Sequence, residues 1–126
     1  MQMAIDWSKY PSFTKKEFDC QETGENKMNS VFMDKLQELR NLYGKPIIIT
    51  SGYRSQKHSI EAAKGAPGPH TTGLACDISV GAGQDVYELL DLAFTLRFTG
   101  IGVSQRNARP RFVHLDLCPR KAVWSY

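Results

Sequence analysis

Three residues of this chain have the types and the spacing to hold a metal ion. His70 stands in "PGPHTTGLACDISV", Asp77 follows it in the same stretch, and His114 lies in "RFVHLDL". In "LACDISV" a two-residue period puts Leu74, Cys76, Ile78 and Val80 on one face of a strand, with Ala75, Asp77 and Ser79 on the other. In "FVHLDL" Val113, Leu115 and Leu117 share one face, and Phe112, His114 and Asp116 share the opposite one. If the two strands pair, His70, Asp77 and His114 can converge. Two imidazoles and one carboxylate form a catalytic zinc set, because three protein ligands leave a fourth tetrahedral position for water, whereas structural sites are usually closed by four. Spacing alone leaves open a plainer reading, in which His70 is a surface or capping residue ahead of Thr-Thr-Gly.

The cysteines fit such a site less well. Cys118 stands four residues beyond His114, so its Cα lies roughly 13 Å further along the strand, outside one coordination sphere. Cys76 belongs to the apolar face, where a thiol acts as a small hydrophobe. Cys20, Cys76 and Cys118 are three in number and lack paired spacing, which points to reduced thiols.

The elements that must position these residues can be read from periodicity. In "SFTKKEFDCQETGE" Ser12 or Thr14 can cap a helical turn. Phe32, Leu36, Leu39 and Tyr43 recur at helical spacing over about 29–43, and Gly44 ends the run. "KPIIITSGYRS" predicts a buried strand that breaks at Gly52 into a loop carrying Arg54. Residues 55–69 read as a loop with one helical turn at "SIEAAK". A second helix is predicted over about 84–98, with Val86, Leu89, Leu90, Ala93 and Phe94 as its buried stripe. "GIGVSQRNARPRFVHLDL" reads as two strands around a polar turn.

Composition bounds the rest. At 126 residues, with 41% hydrophobic and 23% charged residues, the chain suits one globular domain and shows no repeat. The net charge of +3 comes without a dense basic patch, which argues against a nucleic-acid surface. No apolar run reaches bilayer-spanning length, so no membrane partner is expected.

"SGYRS" at 51–55, "HTTGLACD" at 70–77 and "FVHLDL" at 112–117 resemble, in order, the three signature blocks of the zinc D-Ala-D-Ala carboxypeptidase family. That family belongs to a wider group of murein peptidases that shares its fold with the hedgehog signalling domain. The resemblance implies a single α+β domain over residues 1–126, a small antiparallel sheet flanked by helices. It implies one zinc ion per chain held by His70, Asp77 and His114. It further implies that Arg54 holds a substrate carboxylate or polarises the scissile carbonyl, a task its planar fork of donors suits. Ser51 and Tyr53 then shape the turn and pocket wall, and Gly73 turns the chain tightly into its strand.

The chain also departs from that family's pattern. Relatives often carry an acidic residue, the general base, three positions before the last zinc histidine, where this chain has Arg111; others carry a histidine at the position of Phe112. Many have an asparagine and a serine where this chain has Ser59 and Gly68. Asp116, on the ligand face two residues past His114, is the candidate in place of that base: it could accept a proton or orient an imidazole. Glu61 and His58 are the alternatives.

The resemblance therefore implies a zinc-dependent metallopeptidase that hydrolyses stem peptides of bacterial peptidoglycan, as a D-Ala-D-Ala carboxypeptidase or a murein endopeptidase. The start "MQMAIDWSKYPSF" lacks a secretory pattern, so a monomeric phage or prophage endolysin is expected, cytoplasmic until released to the cell wall. The alternative is a zinc-containing hedgehog-like binding domain without catalysis.

Overall fold

The computed structural model describes residues 5–63, 68–106 and 110–126, apart from the side chains of Ser59 and Glu61. Thr14 opens a one-turn helix, α1 (Lys15–Phe18), through a capping box in which its backbone N–H donates to Glu17 Oε1 at 2.8 Å. Asn29 caps α2 (Ser30–Tyr43) by accepting from the N–H groups of Val31 and Phe32, and Gly44 closes it at φ 73°. Strand β1 (Ile48–Ser51) follows, then one turn of helix, α3 (Ser59–Ala62). A 3-10 turn over Pro69–Thr72 leads into β2 (Ala75–Ser79). The chain then forms α4 (Gly83–Thr95), β3 (Gly100–Ser104), β4 (Phe112–Asp116) and β5 (Ala122–Ser125).

These strands make one sheet in the order β1-β2-β4-β3-β5. All its pairings are antiparallel except β3 with β5, so the sheet is mixed where the sequence implied an antiparallel one. One face is apolar. Cys76, Ile78, Ile101, Val113 and Leu115 pack there in a single core with Phe32, Leu36 and Leu39 of α2 and with Val86, Leu89 and Ala93 of α4. An edge-to-face contact between Phe32 and Phe98, with centroids 6.0 Å apart, joins the two helical regions. Burial of this face fixes the register, since a one-residue slip would turn Asp77 and His114 into the core.

Two expectations about burial change. β1 is an edge strand and not a buried one, and Ile48 is 64% exposed. Phe94 is 57% exposed: the stripe of α4 that meets the sheet is narrower than its apolar residues suggest. Among the described residues no helix is long and apolar enough to cross a membrane.

Candidate metal centre

The sheet register brings the site together. Asp77 on β2 lies directly across from His114 on β4, both on the face opposite the core. His70 arrives from the 3-10 turn before β2. That turn ends at Gly73, whose φ of 76° suits glycine, and a Cβ there would collide with the Lys27 carbonyl. Gly52 sets the other boundary: its backbone passes so close to α1 that a Cβ would stand 2.5 Å from the Phe18 Cα. Tyr53 N–H donates to the Phe18 carbonyl at 2.8 Å, and Arg54 N–H to the His70 carbonyl at 3.1 Å. Arg54 and the histidine turn are thus tied by backbone.

One donor atom each from His70, Asp77 and His114 falls within 4.8 Å of the others, and all three residues are buried. Asp77 Oδ1 is 3.3 Å from His70 Nε2 and 3.0 Å from His114 Nδ1. Tetrahedral zinc with bonds of about 2.0–2.1 Å separates its donors by roughly 3.3 Å, so the spacing fits. Proton placement fits as well. His70 Nδ1 lies 2.8 Å from the Gly52 carbonyl, which can only accept, so the ring proton belongs there and Nε2 keeps its lone pair. His114 Nε2 lies 2.7 Å from Asp116 Oδ2, which leaves the Nδ1 lone pair of the neutral ring facing Asp77. Two lone pairs and a carboxylate oxygen face one another, and such a group needs a proton or a cation in its midst.

The titration behaviour follows from this crowding. Burial alone would raise the Asp77 carboxyl, but hydrogen bonding to the facing His114 and His70 rings, once a proton lies between ring nitrogen and Oδ1, outweighs it and holds the carboxyl well below the usual carboxylate range. Burial would lower His114, yet Asp116 and Asp77 on either side raise it above its ordinary value of 6.5.

Beside the His70–Asp77–His114 cluster opens a cleft of about 620 Å³, lined by Glu22, Ser51, Arg54, His58, Asp77 and Phe112 among others. Arg54 Nη2 stands 3.8 Å from Asp77 Oδ2. His58 Nδ1 accepts from the Ile60 N–H at 3.2 Å, so its Nε2 carries the proton and faces Glu22 Oε2 at 3.1 Å. A separate groove lined by Phe94, Arg97, Ile101 and Val123 contains none of the three cluster residues.

Asp116 lies behind His114, away from Asp77. It is fully buried, and both oxygens are engaged: Oδ1 accepts from Arg120 Nη1 at 2.7 Å and from Cys118 N–H at 3.0 Å, while Oδ2 accepts from Arg120 Nη2 at 2.8 Å and from His114. Burial would raise its carboxyl, but these partners, Arg120 foremost, hold it well below the ordinary range. Arg111 Nη1 donates to the Gly81 carbonyl at 3.0 Å. The Glu61 side chain lies outside the described residues. All three cysteines are free thiols, and none belongs to the ligand cluster.

Sequence reasoning marked Gly52 only as the end of a strand, and it passed over Glu22 and Arg120. Glycines within strands mark close backbone approach, and "GIGVS" holds two where Asp116 and Trp124 cross, so a signal for this part of the site was present.

A small α+β domain whose His/Asp/His cluster could hold a metal ion, beside a cleft that Arg54 lines, has the arrangement of a metallopeptidase centre. A family model described as Peptidase M15 matches residues 11–116, and the chain belongs to that family of zinc D-Ala-D-Ala carboxypeptidase-type enzymes. No curated protein matches the chain closely enough to count as a relative.

Proposed function

We propose that the protein hydrolyses peptide bonds in the stem peptides of bacterial peptidoglycan, as a D-Ala-D-Ala carboxypeptidase or murein endopeptidase, and serves as a phage or prophage endolysin. The observation that carries the reading is the convergence of His70 Nε2, Asp77 Oδ1 and His114 Nδ1 at the edge of an open cleft that Asp77 and Arg54 line. The three donors hold one zinc, which supplies Lewis acidity for the scissile carbonyl and the attacking water. Arg54 donates to the carbonyl oxygen as it gains charge, or grips the substrate's terminal carboxylate.

The proton acceptor is Glu22. Asp116 has no exposed surface, and its four hydrogen bonds leave it suited to orienting His114. Among the described residues Glu22 and Asp77 are the carboxylates lining the cleft, Asp77 belongs to the metal-binding cluster, and the His58 N–H holds Glu22 in place.

The test is digestion of purified murein sacculi by the zinc-loaded protein, read by mass spectrometry of the released fragments. The expected products carry new stem-peptide termini. Arg54→Lys should retain zinc while turnover falls on the order of 10²-fold, since lysine cannot reproduce the fork. Glu22→Gln should do the same. Intact sacculi together with full zinc occupancy would favour the non-catalytic binding domain.

A further inference from the structure

The segment after Asp116 lies beyond the matched residues 11–116, yet it closes on the site from behind. Arg120 forks onto Asp116 with bonds of 2.7 and 2.8 Å, one to each oxygen. The Arg120 guanidinium sits 5.1 Å from the Trp124 ring centroid, and Trp124 in turn lies 5.1 Å, centroid to centroid, from the His114 ring. Two glycines of β3 make room. Gly100 pairs with Asp116 and Gly102 with His114 across β3–β4, while Gly102 pairs with Trp124 across β3–β5. A Cβ on Gly100 would collide with both Asp116 oxygens and Arg120 Nη1, and one on Gly102 would stand 2.6 Å from Trp124 Nε1. Arg120 therefore reaches Asp116, and the indole reaches the imidazole, across backbone that carries no side chain.

We propose that Arg120, held against Trp124 of β5, is a positioning residue of the metal centre. It pins Asp116 so that the carboxylate accepts from His114 Nε2, and His114 then presents Nδ1 toward His70 and Asp77. A surface ion pair contributes little, but this one differs in kind. Its carboxylate is fully buried, its fork is bidentate, and the same carboxylate also accepts from a ligand imidazole and from the Cys118 N–H. The proposal rests on the zinc reading above.

The experiment uses zinc alone. Its affinity for parent, Arg120→Lys and Arg120→Ala proteins is measured by chelator competition, alongside circular dichroism of the metal-free forms and the His114 Nε2–H proton resonance of the zinc-loaded forms. Arg120→Ala should weaken zinc binding about 10–100-fold, the range for partners of metal-binding histidines, and shift or broaden the Nε2–H signal. Arg120→Lys keeps the charge without the fork and should weaken binding about fivefold or more. If Arg120→Ala fails to fold, Arg120→Lys decides. A folded variant that binds zinc within about twofold of the parent, with its Nε2–H signal unmoved, overturns the proposal, since a purely structural role lowers only thermal stability. A parent that binds no zinc overturns the metal reading itself, and the brace with it.

Discussion

The two imidazoles that flank Asp77 are oriented by different means. His70 rests on a backbone carbonyl, that of Gly52, at 2.8 Å, and His114 rests on the Asp116 carboxylate at 2.7 Å. The carbonyl is neutral, and its position is fixed by how closely β1 approaches Phe18. The carboxylate is charged, and a second side chain fixes it. Both devices select a tautomer, but only the carboxylate also raises the basicity of its imidazole. The His70 side is thus set by chain path, and the His114 side by electrostatics that one substitution can change.

The largest effect should come from removing the group that both sides share. Asp77→Ala leaves two imidazoles with no carboxylate between them, and His70→Ala or His114→Ala leaves one imidazole with Asp77. Two ligands do not hold zinc tightly, so each variant should lose it altogether. Elemental analysis after dialysis checks this, and full occupancy in all three would break the ligand assignment.

An intermediate effect separates the two brackets. Asp116→Asn keeps the size of the acceptor but removes its charge and half of its fork with Arg120. Zinc affinity should fall about 10–100-fold in a chelator competition. The metal-free protein should also lose on the order of 1–2 kcal/mol to denaturant, because charge-assisted hydrogen bonds to a buried carboxylate are weakened while Arg120 keeps access to water. No equivalent substitution exists at the His70 bracket, where the acceptor is main chain. Unchanged affinity in Asp116→Asn would mean that the two imidazoles are equivalent.

The contrast between brackets was only partly legible in the sequence. Alternation in "LACDISV" and "FVHLDL" placed Asp77, His114 and Asp116 opposite the core, because burial of one face leaves each strand a single register. Gly44 and the spacing of Phe32, Leu36 and Leu39 marked α2 for the same reason: an apolar stripe has one place to go. "PIIIT" misled, since a run of β-branched residues does not say how many neighbours a strand has, and β1 is an edge. β5 gave no warning. Its parallel pairing with β3 joins segments that are not consecutive, so Arg120 and Trp124 look like tail residues until the sheet is assembled.

The smallest effect concerns protons. In the metal-free protein the folded pKa of His114 lies above its ordinary 6.5, so its contribution to stability is full below 6.5 and is lost as pH rises through the raised value. Zinc needs the neutral ring, so its affinity should run the opposite way and fall as pH drops through that same value. Thermal unfolding of metal-free and zinc-loaded protein from pH 6.5 up through that raised value should show opposite slopes. His114→Gln should abolish the metal-free slope, and a slope that survives would assign it to another group.

X-ray absorption at the zinc edge of the loaded parent protein tests the central claim most directly. The arrangement of His70, Asp77 and His114 predicts a first shell of nitrogen and oxygen only, at about 2.0–2.1 Å, with the outer scattering of two imidazoles. A sulfur shell at about 2.3 Å, or the signature of a single imidazole, would contradict the site.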